Sequence, residues 1–129
     1  MKRFIPVLFC LLAVPAQALD CRQASSTPDI EQCARMTQEK TEQQLNTVYR
    51  RVLKQVEAVS ANPETEEQGA LKKNFIEAQR LWVKFREADC RNVYSYWSGG
   101  TIRGTMYLGC MQSRAEQRIK ELQQFVENQ

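Results

Sequence analysis

The chain has 129 residues, 43% apolar and 26% charged, with a formal net charge of +3 and no histidine. That length suits one small core. The missing histidine removes the commonest general base and a usual zinc ligand, and the small net charge gives no basic field for nucleic acid or an anionic membrane.

Met1-Lys2-Arg3, the short apolar run over residues 4–14 and the Ala16-Gln17-Ala18 site predict a secretory signal peptide over residues 1–18, cleaved after Ala18. A lipid anchor at Cys21 is rejected, because the charged Asp20 sits where lipid attachment wants a small residue. Cleavage takes Lys2 and Arg3 but no acid, so the formal charge falls from +3 to +1 over residues 19–129, which are expected to form one domain. No stretch of that chain approaches the roughly 20 apolar residues of a spanning helix, so no stable membrane insertion is expected and the location is periplasmic or secreted.

Cys10 leaves with the signal, and Cys21, Cys33, Cys90 and Cys110 remain. An even number in an exported chain reads as two disulfides, of which three connectivities exist. The local pairing Cys21–Cys33 and Cys90–Cys110 is favoured, each closed loop contributing roughly 3 kcal/mol in the chain-entropy model. A zinc site lacks both a C-x-x-C knuckle and histidine, so neither metal nor cofactor is expected.

Residues 19–32 read as an irregular lead-in, with Thr27 or Asp29 as helix cap. A first helix follows over 31–59, its stripe formed by Ala34, Thr41, Leu45, Val48, Tyr49, Val52, Val56 and Val59, with Glu42 and Asn46 beside it. After Asn62, read as a cap, and Pro63, a second helix is expected over 63–94, burying Leu71, Phe75, Ala78, Trp82, Phe85, Asp89 and Val93. Ile76 and Val83 form a smaller stripe, to be covered by the N-terminal segment or by a partner. Three glycines then break the pattern, predicting a long loop over 94–105 that carries Tyr94, Tyr96 and Trp97. A third helix over 107–126 buries Met111, Ala115, Ile119, Leu122 and Val126. The fold class expected is all-α: a three-helix antiparallel bundle stapled by two disulfides, with a long irregular loop between helices 2 and 3.

The helices carry polar groups inward: Glu42 and Asn46 on the first, Gln79, Arg86 and Asp89 around Trp82 on the second, Arg114 and Arg118 on the third. A buried unpaired charge costs several kcal/mol, so these groups are expected to pair across the interfaces, Glu42 with Arg86 or Arg118, and Asp89 with an arginine or with backbone near Cys110. Such interleaved carboxylates and arginines stay ionised, and acid–base catalysis needs carboxylates in separated environments. No nucleophile elbow or phosphate loop is present, and no enzyme activity is expected.

Ala78-Gln79-Arg80, Trp82, Phe85-Arg86 and Cys90 match the pattern A-Q-R-x-W-x-x-[FY]-R-x-x-x-C. Cys33, Leu45-Asn46 with Tyr49, Gly99-Gly100-Thr101, and Cys110 with Arg118 and Leu122 match the flanking motifs of the same family. In these the chain resembles the LprI family of small bacterial envelope proteins, named after a lysozyme inhibitor. Thr41-Glu42 stands where A-D is usual, and Ala115 replaces a threonine. The resemblance implies an exported, disulfide-stapled helical domain with a protein partner, a lysozyme. The binding loop expected is residues 98–105 with Trp97, carrying Ser98, Gly99, Gly100, Thr101 and Arg103, in which the glycines allow close approach and Arg103 meets a catalytic carboxylate. Lysozymes are mostly basic, so a charge near +1 gives no steering. The alternatives are an envelope interaction module using Tyr94, Tyr96, Trp97, Ile76 and Val83, and a glycan binder stacking sugar on Trp97.

Overall fold

The computed structural model describes residues 19–127. The signal-peptide reading and Cys10 lie outside the described residues. Three helices, α1 (Thr27–Ala61), α2 (Glu66–Tyr96) and α3 (Arg103–Glu127), pack pairwise, α1 most extensively on α3. No strand occurs among the described residues, and none of their helices is long and apolar enough to cross a membrane.

The helix starts differ from the sequence reading because other residues cap them. Ser26, not Thr27 or Asp29, caps α1: its Oγ accepts from the Asp29 N–H at 3.2 Å, and Pro28 sits in the first turn where no N–H is needed. Thr65, not Asn62, caps α2 by accepting from the Gln68 N–H at 3.3 Å, while Gln68 Oε1 accepts from the Glu64 N–H at 2.6 Å. Pro63 is therefore left in the connection, and α2 begins at Glu66.

The core is built from Leu45, Val48, Val52 and Val56 of α1, Phe75 of α2, and Ala115, Ile119 and Leu122 of α3. Tyr49 stacks on Phe75 with ring centroids 5.5 Å apart, and Phe125 closes over Phe75 at 5.7 Å. At that end Val59, expected inside, is exposed. It lines a cavity of about 450 Å³ with Leu71 and Phe125.

On α2 the expected buried face is corrected. Ala78 is exposed and Phe85 is 57% exposed, whereas Arg86 is only 6% exposed and Cys90 fully buried. The expected face follows positions 71, 75, 78, 82, 85 and 89. The positions turned inward are 75, 79, 82, 86, 90 and 93, a face rotated relative to the expected one. The two faces share 75 and 82 but differ by one residue at 78/79, 85/86 and 89/90, which turns Phe85 out and Arg86 in.

The sulfurs of Cys21 and Cys33, and of Cys90 and Cys110, are bonded, each pair with Cα atoms 5.6 Å apart. The first pair ties the lead-in to the first turns of α1. Ile76 and Val83 face Asn46 and Tyr49, and Asn46 lies about 20 Å along α1 from Cys33. The lead-in does not cover them.

Candidate functional site

Two constellations sit at the Cys90 end of the molecule. The first is polar and lies between the helices. Arg86 donates from Nη1 to Glu42 Oε1, and Gln38 Nε2 supports the same oxygen at 3.2 Å. The Arg86 guanidinium lies 4.8 Å from the centre of the Trp82 ring, and that of Arg118 lies 5.8 Å from the same ring. Arg118 Nε donates to Gln79 Oε1 at 3.0 Å, and Nη1 to Glu121 Oε2 at 3.0 Å. Trp82 is thus held by two cations, each oriented by its own acceptors. Arg86 Nε is buried with no hydrogen-bond partner.

One turn further along α2, Asp89 Oδ2 accepts from Arg114 Nε at 3.0 Å and Nη2 at 2.6 Å, and Arg114 lies 5.9 Å from the Phe85 ring centre. Glu42, Gln79, Trp82, Arg86, Asp89 and Arg118 are therefore brought together in pairs along the interfaces. Asn46 is not: it is exposed and faces Ile76 and Gln79 across a groove. Asp89 also lies within 4.8 Å of the Cys90 and Cys110 sulfurs, but these are bonded to each other, which leaves that cluster a single carboxylate.

The second constellation is the connection between α2 and α3. It occupies residues 97–102 rather than 94–105, because α2 continues through Tyr96 and α3 already begins at Arg103. Ser98 N–H to Ser95 O at 3.1 Å and Gly100 N–H to Trp97 O at 2.9 Å fold it into consecutive turns. No residue among those described has a positive φ, so neither Gly99 nor Gly100 is required by backbone conformation. At Gly104 a methyl group would meet the Glu31 carboxylate of α1, the end of a flexible side chain that would have to move aside.

Residues 94–103 are all exposed, Tyr96 at 84% and Trp97 at 37%. Trp97, Ser98, Gly99, Gly100 and Thr101 form the turn itself. Arg103 is the first residue of α3 and folds back across the turn: Nη1 donates to Ser98 O at 3.4 Å and the guanidinium lies 5.3 Å from the Tyr94 ring centre. Tyr107 braces Tyr94 edge-on at 6.3 Å, and Tyr96 meets Trp97 edge-on at 5.8 Å. The arrangement is a short, aromatic, braced cap above the Cys90–Cys110 bridge, with Arg103 at its edge rather than on a free arm. Gln38, Glu121 and the Glu31–Gly104 contact escaped the sequence reading. A glycine inside a helix start was the one signal for the last of these.

The uncharacterized protein R02472 of Rhizobium meliloti (strain 1021) is 28% identical over 137 residues, covering 99% of this chain and 98% of its own length. No solved structure matches the chain. The model of the family described as lysozyme inhibitor LprI matches residues 20–122, and the chain belongs to that family.

Proposed function

We propose that the protein is exported by a signal peptide over residues 1–18, and that residues 19–129 act as one domain, an antiparallel three-helix bundle in the periplasm, that binds and inhibits a lysozyme. The family match over residues 20–122 carries this reading. The two disulfides support an extracytoplasmic location. The antiparallel course is supported by pairings in which α1 numbers fall as α2 numbers rise, Glu57 with Lys72 and Glu42 with Arg86. The presenting surface is the 97–102 turn with Arg103. Its exposure gives a partner access to Trp97 and to the guanidinium edge, and the disulfide beneath keeps its ordering cost low.

Clearing of a cell-wall suspension by lysozyme, followed by turbidity with and without residues 19–129, tests this. Inhibition at micromolar protein, weakened by Trp97→Ala and Arg103→Ala, is expected. No inhibition at micromolar excess rejects it. A second reading, an envelope interaction module without lysozyme activity, is favoured by the bracing of Arg103 against Tyr94 and Ser98, which suits a broad contact better than insertion into a cleft. That reading expects an endogenous partner in a pull-down from periplasmic extract and indifference to lysozyme.

A further inference from the structure

The α1–α2 seam carries a feature that the turn does not use. A groove of about 520 Å³ runs between Asn46 and Tyr49 of α1 and the stretch of α2 from Ile76 to Lys84. A second hollow of about 480 Å³ shares Ile76, Glu77 and Arg80 with it and extends the surface back to Lys72. Ile76 and Val83 are half-buried and form the apolar floor, and Tyr49, fixed by its stack on Phe75, forms a wall.

The rim is basic. Lys73, Arg80 and Lys84 are exposed, and the one acid among the lining residues, Glu77, lies 3.8 Å from Arg80. Lys72 is already engaged by Glu57 at 2.9 Å. Lys73 and Arg80 are seven residues apart, as are Ile76 and Val83, so cation and apolar group each recur about 10.5 Å along one face of the helix.

We propose that this seam docks an acidic amphipathic helix of a protein partner, with two apolar side chains a heptad apart over Ile76 and Val83 and carboxylates over Lys73, Arg80 and Lys84. Charge complementarity and the matching repeat select this occupant. A bilayer surface fits less well. Membrane contact uses apolar side chains that protrude, whereas Ile76 and Val83 are recessed, and the exposed Leu81 and Phe85 lie roughly 140–180° around the helix from them.

The test is fluorescence anisotropy of a labelled helical peptide of about 18 residues, built of Ala, Glu and Leu with leucines at heptad spacing. Saturable binding to residues 19–129 is expected, weakened about tenfold or more by Arg80→Glu with Lys84→Glu and by raised salt. Ile76→Asn should weaken it with little salt dependence, and the same peptide with Lys for Glu should not bind. All the charged positions are exposed, so thermal melts should confirm that the variants fold. Equal binding of the Lys peptide, indifference to the charge reversals, or no saturation overturns the proposal. So does charge-dependent binding of phosphatidylglycerol vesicles that displaces the peptide, which would make the seam a membrane face. Lysis inhibition through the turn should be unchanged in Arg80→Glu/Lys84→Glu, so the two readings fail separately.

Discussion

Replacing Glu42 tests the polar network most directly. Among the described residues its carboxylate is the only acidic partner of Arg86, whose side chain is 7% exposed, while Glu42 itself is 27% exposed. Removing one partner of a buried pair costs about 3–5 kcal/mol, because the other charge is left in low dielectric. The open edge of Glu42 lets water reach the gap, so Glu42→Ala is expected at the low end, about 3 kcal/mol. Arg86→Ala leaves a carboxylate that water can solvate, but it loses the stem packing and the Trp82 contact, and should cost about 2–4 kcal/mol. Replacing both, Glu42→Leu with Arg86→Met, removes the desolvation problem and should lie within about 1 kcal/mol of wild type. Urea unfolding with disulfides intact measures the three values, and for a domain of this size each kcal/mol moves Tm by about 4–8 °C. A Glu42→Ala cost below about 1 kcal/mol, or a double variant as unstable as the two single losses added, would refute the claim that the pair is buried and coupled.

The Asp89–Arg114 pair is more open, with side chains 30% and 41% exposed, so Arg114→Ala should cost only about 1 kcal/mol and the cost should shrink in high salt. Cys90→Ala with Cys110→Ala should cost about 3 kcal/mol in urea unfolding. The matching change at Cys21 and Cys33 should cost no more, since it frees a lead-in outside the core. At the start of α2, hydrogen bonds from its own backbone N–H and from the Thr65 hydroxyl hold the Glu67 carboxyl below its ordinary value of 4.5. A depressed folded-state value adds stability above pH 4.5 that is lost as pH falls through the folded value. Glu67→Gln should therefore be less stable than wild type at pH 7, and thermal melts of the two should converge in acid. Thr65→Ala should cost about 1 kcal/mol by removing the cap.

The three helices were legible because the apolar stripes of α1 and α3 are long and regular: Leu45, Val48, Val52 and Val56, and Met111, Ala115, Ile119 and Leu122, are all buried as their spacing requires. Boundaries were less legible because several residues could cap each start. Ser26 and Thr65 prevail over Asp29 and Asn62 because each places its hydroxyl at an N–H three residues on. The start of α3 was hidden by Gly104, which reads as loop in sequence. In the structure it lies beside the Glu31 carboxylate, a proximity between residues 73 positions apart that no local pattern encodes.

The network was legible as a set of charges needing partners, because burial of an arginine or aspartate demands one whatever the fold. Its geometry was not, since apolar Ala78 and Phe85 and polar Gln79 and Arg86 lie on neighbouring faces that share Phe75 and Trp82, and apolar spacing alone points to Ala78 and Phe85. The fully buried Cys90 resolves the ambiguity. Bonded to Cys110, it must face α3, and Arg86, one turn earlier on the same face, is carried inward with it. Arg86 then needs Glu42, and the exposed Phe85 keeps only the Arg114 guanidinium beside its ring. On the proposed reading, the stretch that carries the family motif is the frame that orients the turn above it. Substitutions at Arg86 should change lysozyme inhibition only as far as they change folding, whereas substitutions at Trp97 should change inhibition with the fold intact.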